Sequence, residues 1–417
     1  MQKKKVYFKT FGCRTNLYDS QVMMSSLKEY DITENEAEAD VVVINSCTVT
    51  NGADTHVRSY ISQLEKRGSE KKLFLTGCGA HTKGESLLKE GRVHGVFGQS
   101  EKEKIDRLLQ KEKPFYEKGD LNHIDKMLVD EFVGKSRAFI KIQEGCSFRC
   151  SYCIIPFVRG DARSMEEQRI LEQVRRLASN GFGEFILTGT NVGSYGQDTQ
   201  TSLAQLMKKM SLIRGVRRIR LGSVEPIQIG DAFKEILDEP WMEKHMHIAL
   251  QHTSPKMLKL MNRRNVYKQD RELFEFLAEK GYAIGTDFIT GFPGESQELW
   301  QEAMENVKVL PLTHLHAFTY SKRDGTPAAV MKPEVNGKVA KERLHEIEAL
   351  VEEKNYTFRK AFDGELEVLV ESYKSGFYHG LDQHFNKIVI KSDEDLLGNW
   401  VNISKYEVKK EHNYAII

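Results

Sequence analysis

The chain has 417 residues, of which 40% are hydrophobic and 29% charged, and 61 Lys+Arg against 60 Asp+Glu leave a net charge of +1. This length predicts two to four domains with a sizeable core. The balanced charge excludes both a disordered chain and nucleic-acid binding by bulk charge, so any RNA or DNA contact is expected from local patches. No run approaches the roughly 18 apolar residues of a membrane span, and the opening MQKKKVYFKTFGC reads as strand alternation instead of a leader. A cytoplasmic protein without membrane contact is expected. Six cysteines are too few for a disulfide scaffold of this size, and in a reducing compartment they point to metal or redox chemistry.

Short apolar runs at residues 6–11, 41–45 and 73–77 read as buried strands, with helical patterns at 18–29 and 54–66 between them. Such alternation predicts a parallel α/β sheet. Each run is followed within two residues by a cysteine, Cys13, Cys47 and Cys78, so one carboxyl edge would carry all three thiols, at the edge where such folds build sites. Over residues 113–135 periodicity lapses and charge dominates, which reads as a linker. A second series follows, with strands at 139–143, 185–189, 218–223, 246–251, 284–291 and 315–321 and helices at 166–178, 203–211 and 298–310. Six βα units are fewer than the eight of a closed barrel, which predicts a partial (β/α)6 barrel open to a large substrate or another domain. A helix over 338–361 stops at Asp363 and Gly364, and alternating runs at 366–373, 386–392 and 399–408 predict a small β-barrel. The expected domains are 1–113, 132–361 and 362–417.

Cys146, Cys150 and Cys153 stand in GCSFRCSYC, directly after the first strand of the second series. Three thiolates on one loop hold three irons of a [4Fe–4S] cluster and leave the fourth iron open. The alternative is a four-ligand zinc site completed by a distant residue such as His123 or His247. The C-x3-C-x2-C spacing with Tyr152 before its last cysteine, its place after the first strand and the six βα units resemble the radical S-adenosylmethionine (SAM) enzymes. That resemblance implies that the open iron binds SAM and that one electron cleaves it to a 5′-deoxyadenosyl radical, at the carboxyl ends of the strands. The strings FGCRTNLYDS, NSCTVTNGAD and TGCGAH around Cys13, Cys47 and Cys78 are similar to the amino-terminal domain of the methylthiotransferases. In that family three cysteines hold a second [4Fe–4S] cluster; three unrelated buried thiols are the alternative. The two sets use all six cysteines. The resemblance spans essentially the whole chain, because a carboxyl-terminal β-barrel of the TRAM type belongs to the family. It implies sulfur insertion into an unactivated C–H bond together with methylation, with one SAM giving the methyl group, another giving the radical, and the amino-terminal cluster carrying the sulfur.

Within the family, NSCTVTNGAD, LTGTNVGSYG, RLGSVEP and FTYSKRDGTPAA resemble the branch that acts at C2 of N6-threonylcarbamoyladenosine 37 of tRNA. ALQHTS at 249–254 departs from the PLQSGS pattern of the tRNA enzymes toward the ribosomal-protein branch; TGCGAH lacks the usual aromatic residue, and RSM at 163–165 lacks the usual proline. The alternatives are therefore isopentenyladenosine 37, a ribosomal-protein aspartate, and, from another class, a non-catalytic iron–sulfur carrier. Implied partners are tRNAs decoding ANN codons, a reductant such as flavodoxin or ferredoxin, and a sulfur donor. Thr188 and Gly189 at the second barrel strand, Gln251 at the fourth, Gly291 of GFPGE after the fifth, and Arg159 after the cysteine loop are the candidates for SAM or substrate binding. Plain turns at the glycines and a satisfied polar role for His252 are the competing readings. Residues 364–417 carry six Lys+Arg against nine Asp+Glu. The tRNA phosphates are therefore expected at Arg214, Arg217, Arg218, Arg220, Arg263 and Arg264, shared with Phe377 and Tyr378, unless these arginines simply lie on solvated faces.

Overall fold

The computed structural model describes residues 3–68, 70–126, 128–129 and 136–417. At the amino terminus six strands run parallel in the order Tyr30–Ile32, Lys4–Thr10, Val41–Ser46, Lys72–Gly77, Gly95–Phe97 and Phe115–Glu117. The continuous apolar run from Val41 is what a strand covered on both faces requires. Val41 and Val43 join Met23 and Leu108 on one face, while Val42 and Ile44 join Ile61 and Leu64 of helix Asn51–Lys66 on the other. The helix expected over 18–29 starts earlier, at Arg14 directly after Cys13, and ends at Ser26.

The segment read as a linker is part of this sheet. Phe115–Glu117 is its sixth strand, and the Phe115 ring occupies the space that a side chain on Gly95 would need. Asp125, further along the same segment, is buried in an ion network. Charge misled here because Glu117 pairs with Arg107 beside the sheet and Asp125 pairs with Lys102 and Lys141 in the interior. The rest of the expected linker, residues 127 and 130–135, lies outside the described residues.

The second series contains all six expected strands. Ala138–Lys141, Glu184–Thr188 and Arg218–Leu221 form one parallel sheet, and His245–His247, Ala283–Thr290 and His314–Thr319 form another. Bridges from Ile219 to Met242 and from Val224 to Ile248 join them into one curved wall. Its open side is covered by two helices. Tyr18 and Val22 of Arg14–Ser26 and Ile347 and Val351 of Gly337–Ala361 enter the barrel core beside Phe185, Leu187 and Ile284.

The carboxyl-terminal strands curl into a mixed sheet ordered Trp400–Ile403, Leu366–Lys374, Phe377–Leu381, Lys387–Lys391, Asn413–Ile416, Glu407–Val408. Two of these strands, Phe377–Leu381 and Asn413–Ile416, were not among those expected. The first turns back at Ser375 and Gly376, both with positive φ, a tight hairpin signal in KSGF. The chain is thus an α/β protein with a parallel amino-terminal sheet, an open parallel barrel and a small curled β-sheet at the carboxyl terminus.

Candidate active site

The amino-terminal cysteines meet because the strand ends run together. Ser46 pairs with Gly77, and Gly77 has a φ of 84° that puts its missing side chain against the Ser46 carbonyl. Gly12 has a φ of 100°, and a Cβ there would lie 2.5 Å from Cys47 Cβ. Asn16 donates from Nδ2 to the carbonyls of Phe11 and Ser46, at 2.8 and 3.0 Å, fixing both cysteine-bearing loops. Cys78 lies within electrostatic reach of both Cys13 and Cys47. Burial pushes its thiol up to about 12, despite the opposing Arg159.

The barrel cysteines follow Ala138–Lys141 on one loop, with Cys153 within electrostatic reach of Cys150 and Cys146. Burial pushes Cys153 up to about 12. Thiols this buried become thiolates only when a cation takes the proton's place. The sulfurs also receive N–H donors, as ligand sulfurs do: Asn191 Nδ2 lies 3.6 Å from Cys146, Arg263 Nη1 3.6 Å from Cys150, and Arg159 Nε 3.1 Å from Cys78. The donor set fits iron–sulfur clusters. A tetrahedral zinc site would bring its sulfurs to about 3.8 Å of one another. Among the described residues, the three groups of potential ligands gathered within 4.8 Å contain no cysteine, and they place His123 and His247 beside carboxylates instead.

Arg159, expected to contact SAM or the substrate, lies in an ion network beside a very small cavity that Cys13, Thr188 and Gly189 do not line. It is buried, with Nη1 2.6 Å from Glu144 and Nη2 2.6 Å from Asn16 and 3.0 Å from Asp19. Lys102 and Lys141 share Asp19 and Asp125, so three cations balance three carboxylates between the two cysteine loops. Cys78, Ile154 and Val158 pack in one apolar cluster across the same junction.

Thr188 and Gly189 line a cavity of about 960 Å³ together with Cys13, Arg14, Ser223 and Asp287. Gly189 admits a close approach, but the approaching group is Gln143, whose carbonyl and Oε1 lie 2.8 Å from where a Cβ would be. Gln251, with a φ of 67°, pairs through its backbone with Asp287 and Ile289. Gly291, with a φ of 72°, abuts Ala340 of the long helix, while its N–H donates to Glu295. Its observed role is thus helix packing. His252 is buried, accepts at Nδ1 from Ser254 N–H at 3.0 Å and faces Glu295, the satisfied polar role.

One cluster in the cavity escaped the sequence reading. Asp287 Oδ1 lies 3.1 Å from His247 Nε2 and 3.7 Å from His316 Nδ1, while Ser223 Oγ donates to Oδ2 at 3.1 Å. Burial raises the Asp287 carboxyl, but the two imidazoles outweigh it and hold it well below the usual range. The signal was present in the strand period: HMH and HLH each put two histidines on one face.

The expected phosphate-binding arginines are mostly engaged elsewhere. Arg218 and Arg220 are buried against Glu184, Glu243 and Glu367. Arg217 pairs with Glu367 at 2.8 Å and stacks on Trp400, and Arg263 grips Glu225. Tyr378 belongs to the core of the small β-domain, whereas Tyr373 is exposed. Arg214 and Arg264 are exposed, the latter 4.3 Å from the Phe148 ring.

Residues 140–307 match the radical SAM superfamily, and residues 5–98 match the uncharacterized protein family UPF0004. The fold agrees: a SAM-radical methyltransferase, TsrM from Kitasatospora setae, superposes with a TM-score of 0.59 at 13% identity, over 79% of this chain and 75% of its own. Fold and cysteine loop together define a radical SAM enzyme, a class that uses a [4Fe–4S] cluster and SAM. A putative methylthiotransferase from Helicobacter pylori strain J99 is 53% identical over 99% of this chain and 100% of its own. The threonylcarbamoyladenosine tRNA methylthiotransferase MtaB of Bacillus subtilis is 33% identical, over 95% of this chain and 93% of its own. A tRNA-2-methylthio-N(6)-dimethylallyladenosine synthase from Fervidobacterium nodosum is 34% identical over 99% of both. The chain belongs to the methylthiotransferase family. Among the described residues no helix is long and apolar enough to cross a membrane.

Proposed function

We propose that this chain is a cytoplasmic tRNA methylthiotransferase that places a methylthio group at C2 of N6-threonylcarbamoyladenosine 37. The observation that carries the reading is Arg159, which donates to Cys78 of the amino-terminal strand ends and to Glu144 beside the barrel cysteine loop, with Cys13 opening onto one cavity. Cys146, Cys150 and Cys153 would hold the cluster that binds SAM, and Cys13, Cys47 and Cys78 a second [4Fe–4S] cluster. When bound, these groups supply the radical that removes a hydrogen from a C–H bond and the sulfur that replaces it.

The chain's own residues position and shield that chemistry. Asn191 and Arg263 steady the sulfurs of Cys146 and Cys150, and the balanced network around Arg159 keeps the two loops in fixed relation. Thr188 and Gly189, held by Gln143, present the strand end toward SAM; Gln251 shapes a neighbouring strand end, and Gly291 supports that side from behind. Cover from helix Gly337–Ala361 and the small β-domain limits access of water to the reacting atoms. Exposed Arg264, with Lys387 and Lys410 at the cavity wall, offers cations for tRNA phosphates in place of the buried arginines.

Identity alone does not choose the base, since relatives named for threonylcarbamoyladenosine and for dimethylallyladenosine are similarly close. The strings NSCTVTNGAD and FTYSKRDGTPAA favour the former. The partners this implies are tRNAs decoding ANN codons, a flavodoxin or ferredoxin as reductant and a sulfur donor. The test is to replace each cysteine set by alanine in anaerobically reconstituted protein. Loss of Cys146, Cys150 and Cys153 should abolish SAM cleavage, whereas loss of Cys13, Cys47 and Cys78 should spare cleavage and stop thiolation. Unfolding of both triples alike would make the cysteines structural and contradict the reading.

A further inference from the structure

A cluster of charges lies where the barrel meets the small β-domain, and its bookkeeping leaves one arginine over. Arg137 pairs with Glu371 and Glu184, Arg217 with Glu367, Arg218 with Glu184 and Glu367, and Arg220 with Glu184 and Glu243. Four arginines thus face four glutamates. Arg14 is a fifth cation within electrostatic reach of Glu243 and Glu184, both already held by Arg220. Among the described residues its guanidinium makes no hydrogen bond or ion pair.

The position of Arg14 gives the unused charge a direction. It follows Cys13 at the start of helix Arg14–Ser26, a terminus with no acidic residue in its first turn and no side-chain cap, so the backbone there also favours an anion. Arg14 and Cys13 line the same cavity as Thr188 and Gly189. The Arg14 guanidinium carbon lies 5.8 Å from the Phe385 ring, which itself stacks on His245 at 4.9 Å. Phe385 holds a φ of 66°, a left-handed conformation that a bulky residue adopts only where its surroundings impose it. Phe385 and His245 therefore form a fixed wall behind the guanidinium. The nearby thiol Cys78 is served by Arg159 and does not need Arg14.

We propose that Arg14 reads a carboxylate carried on the substrate base, pairing with it through the guanidinium fork while the base reaches the end of the cavity lined by Cys13. The proposal rests on the tRNA reading above and supplies its specificity: a threonylcarbamoyl group ends in a carboxylate, and an isopentenyl group does not. Among the cavity's other cations, Arg220 is held by Glu184 and Glu243 and Arg359 donates to the carbonyls of Lys409 and Lys410, while Lys387 and Lys410 are left for the phosphates. Asp287 is engaged by His247, His316 and Ser223, and Glu348 and Glu352 line the wall made by the long helix, where they repel an anion. An uncharged substituent would cover Arg14 without pairing it, which disfavours that substrate.

The test measures equilibrium binding of anticodon stem-loops to the reconstituted protein, independently of turnover. Three loops are compared, with adenosine 37 unmodified, carrying threonylcarbamoyl, or carrying the same group with its carboxylate capped as the neutral amide. The wild type should bind the carboxylate loop about tenfold or more tighter than the amide loop. Arg14→Gln should bring that ratio close to one, and Arg14→Lys should retain part of it. Iron content monitors the neighbouring cysteines, and the amide comparison on wild type needs no variant to fold. A wild-type preference that survives in Arg14→Gln would overturn the assignment to Arg14 and leave the tRNA reading standing. Absence of any wild-type preference for the carboxylate would overturn both.

Discussion

Gly12 sits at a φ of 100° with its missing side chain aimed at Cys47, 2.5 Å from Cβ and 2.9 Å from Sγ. Gly12→Ala combines an unfavourable backbone conformation with a contact closer than two carbons tolerate, and the part that must yield is a cysteine of the amino-terminal set. The variant should lose about half its iron and all thiolation while still cleaving SAM; a full iron content would contradict the grouping of Cys13, Cys47 and Cys78. Asp270 tests the same logic with a proton. It is buried on helix Tyr267–Glu279, accepts from Asn265 Nδ2 at 2.7 Å, and burial pushes its carboxyl up to about 6. The folded state therefore holds a proton that the unfolded chain releases near pH 4, so this residue costs stability as pH rises from about 4 to 6 and no further beyond. Asp270→Asn should gain on wild type across that window, by at most about 3 kcal/mol, in denaturant titrations at stepped pH. A gain that is the same at pH 4 and pH 7 would sink this assignment. Single residues were also where sequence reading was weakest. The cysteines announce themselves by spacing, but an arginine reads alike whether it faces solvent or, like Arg220, a buried pair of glutamates brought from other strands.

Between elements, Glu184 is the hub that joins the barrel to the small β-domain. It begins the strand Glu184–Thr188 and meets Arg137, Arg218 and Arg220, two of which continue to Glu371 and Glu367 on the strand Leu366–Lys374. Glu184→Gln removes one charge from a buried set and leaves the arginines under-compensated, at a cost of about 3–5 kcal/mol. Denaturant unfolding should show that loss, with earlier proteolytic release of residues beyond 362. A loss below about 1 kcal/mol would mean the arginines repair themselves locally. Periodicity made the nine βα strands before residue 321 that were expected legible, because buried parallel strands read as continuous apolar runs. It failed for Phe115–Glu117, three half-buried residues with an alternation too short to see, and for Phe377–Leu381, whose register depends on a turn.

For the whole molecule, a net charge of +1 is compatible with RNA only if cations are left unpaired where the RNA lies. The interior takes many of them: Lys102, Lys141 and Arg159 join the two cysteine loops, and Arg137, Arg218 and Arg220 join the barrel to the β-domain. What remains toward the cavity without an ion pair, among the described residues, is Arg14, Lys387 and Lys410, with Arg359 held by backbone carbonyls. The strand ends and the one loop that carry the six cysteines were legible, since they follow from apolar runs and spacing. The cavity lined by Cys13 was not legible, because its walls come from parts of the chain distant in sequence. The measurement that bears most directly on the proposed function is mass spectrometry of tRNA nucleosides from cells lacking this protein. Loss of the 2-methylthio form of N6-threonylcarbamoyladenosine, with its unthiolated precursor accumulating and the 2-methylthio isopentenyl form intact, is the expected result. Retention of the threonylcarbamoyl product, or loss of the isopentenyl one instead, would contradict it.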